Sequence, residues 1–340
     1  MVKRVTLNDI AAHAGVSRSA VSLTVRGDGR LAQQTRERIL RSMDELGYVY
    51  NRSAAALREK NRRLVGVVLS TLDNPFYTQS LQAIEVELAR LDYGVITASS
   101  LRSTMREQEV LRSMREFGVT GVIFASVGDA VADTSAQLEA AGVACLSYTR
   151  YDPAVDYVGP NDVEGGRLAA EHLLTHGAKT LAFVGGQRPS SVSHMRQSGI
   201  RSVLDEAGIR TPLISTTCEA SMRGGYEAGH ALLEAGPLPD AIICLSDAIA
   251  FGFIRALREA GLSTLPRIVG FDDVELASYC DPSLTTVSSH PDRMGRLAAR
   301  LLVQRLEGQR PAPQVHYTEP DLVVRESCGC GRTRGAAAHL

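Results

Sequence analysis

From Leu64 onward the chain alternates short β-branched apolar runs with amphipathic stretches of about a dozen residues, and this constrains the fold more than any other feature. The runs are L-V-G-V-V-L-S (64–70), G-V-I-T-A (94–98), G-V-I-F-A (121–125), V-A-C-L-S (143–147), T-L-A-F-V-G (180–185), A-I-I-C-L-S (241–246) and R-I-V-G-F-D (267–272). A parallel strand covered by helices on both faces reads as such a continuous apolar run. Gly142, Gly177, Gly208 and Gly261 stand where helix C-termini need a positive φ. The body over residues 64–330 is therefore expected to be α/β, two doubly wound parallel-sheet sub-domains of similar build.

Sheets of this kind bind ligands outside the carboxyl ends of their strands. Ser70 ends the first run, and D-N-P-F-Y after it puts Phe76 and Tyr77 at the mouth; Arg150 lies just past another run. The second half offers Asn161-Asp162 after V-G-P, Arg196 in H-M-R-Q-S-G, Ser246-Asp247 after I-I-C-L, and Asp272-Asp273 after I-V-G-F. Carboxylate, guanidinium and amide groups around one or two aromatics suit a polyhydroxy ligand. Asp247 has a second reading as a helix cap, and Asp273 as a turn cap. Adjacent residues at a strand end point to opposite sides, so Asp272 and Asp273 are not expected to act together.

The first 63 residues have another character. They hold 13 Lys and Arg against 6 Asp and Glu, net +7, so the overall charge of −1 leaves −8 for the rest. Thr6 followed by Asp9 reads as an N-cap, with Leu7, Ile10, Ala11 and Ala14 on one helical face until Gly15. Ser17 can cap a second helix carrying Ala20, Val21 and Val25, stopped by Gly27. Two short helices joined through Ala14-Gly15-Val16 form a helix-turn-helix, whose second helix can enter a DNA major groove. Its leading residues Ser17, Arg18, Ser19 and Ser22 are polar. A third helix, Thr35 to Leu46, supplies Ile39, Met43 and Leu46 to the core and Arg36, Arg38 and Arg41 to a phosphate-neutralising face. A small helical cap domain is the alternative reading of the pattern alone.

The segments T-L-N-D-I-A-A-H-A-G-V-S, T-R-E-R-I-L-R-S-M-D-E-L-G-Y-V-Y-N-R and S-A-A-A-L-R resemble the DNA-binding head and hinge of the LacI/GalR family of bacterial transcription regulators, and the resemblance continues to Cys330. V-S-L, G-D-G-R, G-P-N-D and F-V-G-G-Q-R-P-S-S look closest to its maltose-system repressor (MalI-like) branch. The resemblance implies a head over residues 1–50, a hinge over 51–63, a periplasmic-binding-protein-like effector and dimerisation body over 64–330, and a tail over 331–340. It also implies DNA contacts at Thr6, Arg30, Tyr48, Asn51, Arg52 and Ala54 beside the polar residues of the second helix. Leu57 matches a leucine that, in the family, pries open a base step in the minor groove; a plain linker is the other reading of this hinge. Arg196 and Asp272 match effector-holding positions. Position 23 is Leu where many members carry a base-contacting arginine, Ala32 replaces a common capping serine, and Ala125 and Thr149 stand where some sugar-responsive members have Asn and Asp.

These features imply a homodimeric, cytoplasmic, nucleoid-associated regulator, expected to repress, which binds a double-stranded pseudo-palindromic operator and answers to a sugar or sugar derivative. A body that answers to a protein partner, or to nothing, is the alternative. No apolar run approaches the roughly 20 residues of a membrane span, and the polar N-terminus lacks a signal-peptide core. The tail carries no leucine heptads, so a dimer and no coiled-coil tetramer is expected. G-x-S-x-G, Walker and H-E-x-x-H patterns are missing, so neither catalysis nor a cofactor is expected. No metal site is expected either. The cysteines, Cys328-Gly329-Cys330 included, lack zinc spacing, and His172 and His176, four apart, read as helix-surface residues with no third ligand nearby.

Overall fold

The computed structural model describes residues 5–25, 31–48, 63–128, 130–186, 190–309 and 313–330. The chain divides into two compact units, the second beginning at Arg63.

The first unit holds α1 (Leu7–Ala14), α2 (Arg18–Val25) and α3 (Gln33–Glu45), packed around Ile10, Ala11, Ala14, Val21 and Ile39. The capping box forms as the sequence implies. Thr6 Oγ1 accepts from the Asp9 N–H at 3.4 Å, and the Asp9 carboxylate accepts from the Thr6 N–H at 2.8 Å. Gly15 ends α1 at φ 61°, and Ser17 Oγ caps α2 by accepting from the Ala20 N–H at 3.2 Å. Helix α3 starts two residues before the expected Thr35, and its cap Ala32 supplies no side-chain bond. Gly27, Arg30, hinge residues 51–62 and the tail 331–340 lie outside the described residues.

The second unit contains two six-stranded sheets. The first lobe begins with β1 (Leu64–Leu69), α4 (Pro75–Arg90), β2 (Gly94–Ser99), α5 (Thr104–Phe117), β3 (Gly121–Phe124), α6 (Val131–Ala140), β4 (Ala144–Tyr148) and β5 (Tyr157–Pro160). The second comprises α7 (Asp162–Thr175), β6 (Leu181–Val184), α8 (Ser191–Glu206), β7 (Ile214–Thr216), α9 (Met222–Ala235), β8 (Ala241–Cys244), α10 (Asp247–Glu259), β9 (Arg267–Phe271) and β10 (Thr285–Ser288). Then α11 (Pro291–Leu306) and β11 (Val315–Thr318) return to the first lobe, and β12 (Asp321–Val323) closes the second. The orders are β11-β5-β4-β3-β1-β2 and β12-β10-β9-β8-β6-β7, parallel throughout except for β10 with β12.

All seven expected runs are strands, with ends shifted by at most two residues. Strands β5, β7, β10, β11 and β12 were not expected. Each has only three or four residues, and Y-V-G-P carries a glycine and a proline. The lobes are therefore not consecutive halves of the chain. Met294, Ala298 and Leu302 of α11 pack with Ile84 and Leu88 of α4 in the core of the first lobe.

The chain crosses between the lobes at three neighbouring places, around Asn161, Ser289–His290 and Glu319–Pro320. Hydrogen bonds join the crossings: Asn161 N–H to Thr318 O at 2.9 Å, and His290 Nε2 with Asp321 Oδ2 at 2.8 Å. Such a three-strand link lets two lobes hinge while holding them in register.

Within the second lobe, helices α7 and α8 cross so closely that a Cβ on Gly166 would lie 2.1 Å from Arg196 O, and one on Gly199 would lie 1.9 Å from Val163 O. Only glycine permits that approach, and it brings Arg196 onto Asp162.

Candidate functional site

At the carboxyl ends of β1, β4, β8 and β9 the lobes enclose a cleft of about 300 Å³, at the small end of the range for ligand sites. The first lobe lines it with Ser70, Asn74, Phe76, Tyr77, Arg102, Ser126, Thr149 and Arg150; the second with Asp162, Ser190, Arg196, Glu219, Ser246 and Asp272. Two bonds span it. Asn74 Nδ2 donates to Asp272 Oδ2 at 3.1 Å, and an Arg102 N–H donates to Ala220 O at 2.9 Å.

Arg196 organises the second-lobe wall. Its Nε donates to Asp162 Oδ1 at 2.7 Å, another N–H donates to Leu245 O, and the guanidinium lies 3.9 Å from the centroid of the Phe271 ring. The pair is buried, with side-chain exposures of 6 % and 1 %. Burial pushes the Asp162 carboxyl above its ordinary value, while Arg196 pulls it back down. Asp162 Oδ2, Thr149 Oγ1 and Arg150 Nε are buried without a hydrogen-bond partner among the described residues. Buried polar atoms of this kind cost free energy unless a ligand or water satisfies them.

Thr149 and Asp272 hold positive φ angles of 64° and 112°. Backbone strain of this kind, on the order of 1–3 kcal/mol per residue, concentrates at binding sites. The Asp272 carboxyl is pushed up to about 6, mainly by burial and against the pull of Arg196.

Of the nine residues expected to hold effector, Ser70, Phe76, Tyr77, Arg150, Arg196, Ser246 and Asp272 line the cleft. Asn161 and Asp247 do not, which corrects the expectation for both. Asn161 caps α7 by accepting from the Glu164 N–H at 3.2 Å and belongs to the hinge. Asp247 is not the cap of α10, a role taken by Ser246. Its carboxylate turns beneath the cleft, accepting from Thr286 Oγ1 at 2.6 Å and the Val274 N–H at 2.9 Å. Gly270 leaves room for it, since a Cβ there would lie 2.2 Å from Asp247 Oδ1. Asp273 pairs with Arg325 at 2.7 Å while Asp272 bonds Asn74; both lie past the end of β9 at positive φ, so the turn and not strand alternation separates them.

Sequence reasoning missed Asn74, Arg102, Ser126, Ser190 and Glu219 as lining residues; Asp162, offered beside Asn161, does line the cleft. Asn74 was legible only as a helix start, through Asn-Pro. Arg102 and Glu219 sit on loops with no pattern. Thr149 lines the cleft at one of the departures from the family, whereas Ala125 is buried in the first-lobe core.

In the first unit, Ser17, Arg18 and Ser19 are exposed at the start of α2, and Ser22 and Leu23 are half-buried. Thr6 is exposed in its capping box, Arg36, Arg38 and Arg41 are exposed along α3, and Tyr48 packs half-buried against the core. Arg30, Asn51, Arg52, Ala54 and Leu57 lie outside the described residues.

One further expectation is corrected. His172 and His176 do have a third potential ligand nearby, because the fold brings Cys330 to them, 158 residues from His172 in sequence.

Residues 6–51 match the family described as bacterial regulatory proteins, lacI family, and residues 170–328 match a periplasmic binding protein-like domain. The chain is 32 % identical to the HTH-type transcriptional regulator MalR of Streptomyces coelicolor, over 94 % of this chain and 96 % of that regulator. Among solved structures it is similar to the lac repressor dimer bound to operator and the anti-inducer ONPF, with a TM-score of 0.85 at 28 % identity, over 96 % of this chain and 99 % of that one. A complex of the transcriptional regulator CelR with cellobiose gives a TM-score of 0.72 at 29 % identity, over 95 % of this chain and 100 % of that one.

Proposed function

Since the chain belongs to the lacI family of bacterial regulatory proteins, which are DNA-binding transcription regulators, we propose that it is a homodimeric repressor whose operator affinity is set by a small polyhydroxy effector, a sugar or sugar derivative, held in the cleft. The observation that carries the effector reading is the set of unpartnered atoms at the cleft wall. Asp162 Oδ2 is an acceptor, Arg150 Nε a donor and Thr149 Oγ1 both, contributed by both lobes around Phe76 and Tyr77. A ligand with several hydroxyls satisfies mixed donors and acceptors at once. The cellobiose bound by CelR supports that ligand class, and the operator-bound lac repressor dimer supports the assembly.

In this reading the two heads of a dimer present Ser17, Arg18 and Ser19 to half-sites about one helical turn apart. With Leu at position 23, Arg18 and Ser19 carry more of the groove readout. Leu57 of each hinge wedges the centre, so Leu57→Ala weakens operator binding much more than non-specific binding. Effector contacts in the cleft bias the angle between the lobes. Moving the protein from 1:99 to 99:1 between its states takes about 5.5 kcal/mol of differential binding, within reach of several charged hydrogen bonds. The cleft binds and performs no turnover.

Calorimetric titration of the full chain with a panel of sugars and phosphosugars tests this, followed by operator anisotropy with and without each binder. The chain has no tryptophan, so intrinsic indole fluorescence is not a readout. The proposal expects at least one polyhydroxy ligand that binds and shifts operator affinity. Operator affinity indifferent to every such ligand would overturn the effector assignment.

A further inference from the structure

Far from the cleft, at the other end of α7, the second lobe carries a cluster that DNA reading and effector binding do not use. His172 lies in the last turn of the helix and His176 is its C-cap, with ring centroids 4.6 Å apart. Cys330 Sγ lies 3.3 Å from His172 Nε2. One potential ligand atom from each of the three residues lies within 4.8 Å of the others. A tetrahedral zinc ion, with Zn–N of about 2.0–2.1 Å and Zn–S of about 2.3 Å, places its donors roughly 3.3–3.6 Å apart. The Cys330–His172 separation already matches that spacing, and the spread of the whole cluster exceeds it by little more than 1 Å.

We propose that His172, His176 and Cys330 form a binding site for a borderline divalent transition-metal ion of the Zn²⁺ class, fastening the C-terminal end of the second lobe to α7. Two imidazoles and a thiolate select such an ion over Mg²⁺ or Ca²⁺, which prefer oxygen.

Two other features fit. The histidines sit at a helix C-terminus, where unpaired carbonyls favour a cation. The cysteine is held in place before any ion arrives. Cys328, two residues earlier, is fully buried in the lobe core, and Ser327 Oγ donates to Ile268 O at 2.6 Å. The backbone carrying Cys330 is thus anchored beside the histidines. His176 is exposed, so an ion can approach the cluster from that side. Binding replaces the Cys330 S–H bond by a metal–sulfur bond and releases that proton to water, with no change of oxidation state.

Cobalt titration of the reduced, metal-stripped full chain tests the site directly. Co²⁺ should produce the visible ligand-field bands of four-coordinate cobalt and a near-ultraviolet thiolate-to-cobalt band, both quenched by added Zn²⁺. Cys330→Ser should abolish the thiolate band. His176→Gln, at an exposed position where the fold tolerates exchange, should weaken binding more than about 100-fold, beyond the roughly 10–100-fold that losing an outer partner costs. Zn²⁺ should also raise the Tm of the wild-type chain and leave that of Cys330→Ser unchanged. A thiolate band that survives Cys330→Ser, or cobalt affinity indifferent to His176→Gln, would overturn the proposal, as would the absence of any band in the wild type.

Discussion

Replacing Arg196 by methionine isolates the electrostatic problem at the centre of the cleft. Methionine keeps the packing on the Phe271 ring and removes the cation 2.7 Å from Asp162. The Asp162 side chain is 1 % exposed, so it cannot recover hydration and takes up a proton instead. The ordinary pKa of such a carboxyl is 3.8. At 1.36 kcal/mol per pH unit, forced protonation costs at most about 4 kcal/mol at pH 7 and at most about 1.6 kcal/mol at pH 5. The sign follows from linkage. A carboxyl whose folded-state pKa is raised above its unfolded value costs stability at high pH, and the cost vanishes as pH falls toward the unfolded value. At roughly 2–4 °C per kcal/mol, Arg196→Met should lower Tm by up to about 16 °C at pH 7 and by no more than about 6 °C at pH 5. Adding Asp162→Asn should remove the pH-dependent part, because it removes the buried charge. Thermal unfolding by circular dichroism at both pH values, on the wild type, both single variants and the double variant, makes the measurement. A destabilisation that grows toward pH 5, or that Asp162→Asn leaves untouched, would refute the assignment of Arg196 as the group that pulls the Asp162 carboxyl back down against burial.

Three other outcomes are expected from the same geometry. With the Asp272 carboxyl pushed up to about 6, an effector hydroxyl donating to its ionised form should bind about tenfold more weakly at pH 5 than at pH 7; calorimetry giving flat affinity across that window contradicts a direct contact. Ala32→Ser should stabilise the head by about 1 kcal/mol, since the α3 cap supplies no side-chain acceptor, and an unchanged or lowered Tm for the head transition would count against it. Operator affinity should fall by about 10³–10⁵ between 50 and 200 mM salt if the dimer makes 6–10 phosphate contacts; a shallow slope would show that the +7 charge of residues 1–63 does not lie along the DNA backbone.

Features with a local physical cause were legible in the chain. The Thr6–Asp9 box, the Ser17 cap, the missing cap at Ala32 and the positive φ of Gly142, Gly177, Gly208 and Gly261 depend on a few consecutive residues, and the structure has each of them. The seven expected strands were legible for the same reason, since burial on both faces leaves a continuous apolar run. Seven of the nine expected effector residues line the cleft because strand ends must converge there in any sheet of this class. The misses share a cause as well. Asn161 and Asp247 satisfy the same local rule, yet one is spent on a cap and a hinge while the other turns under Gly270.

Sequence alone determined the two-part character of the molecule: a basic helix-turn-helix ahead of an acidic α/β body, written in short-range charge and periodicity. Only the tertiary structure decided which residues meet. It returned α11 and β11 to the first lobe, set Asp162 against Arg196 through two glycines, spanned the cleft from Asn74 to Asp272, and carried Cys330 to His172 across 158 residues. Those contacts depend on helix crossings and chain reversals whose closure entropy grows only slowly with loop length, so sequence separation leaves almost no trace of them.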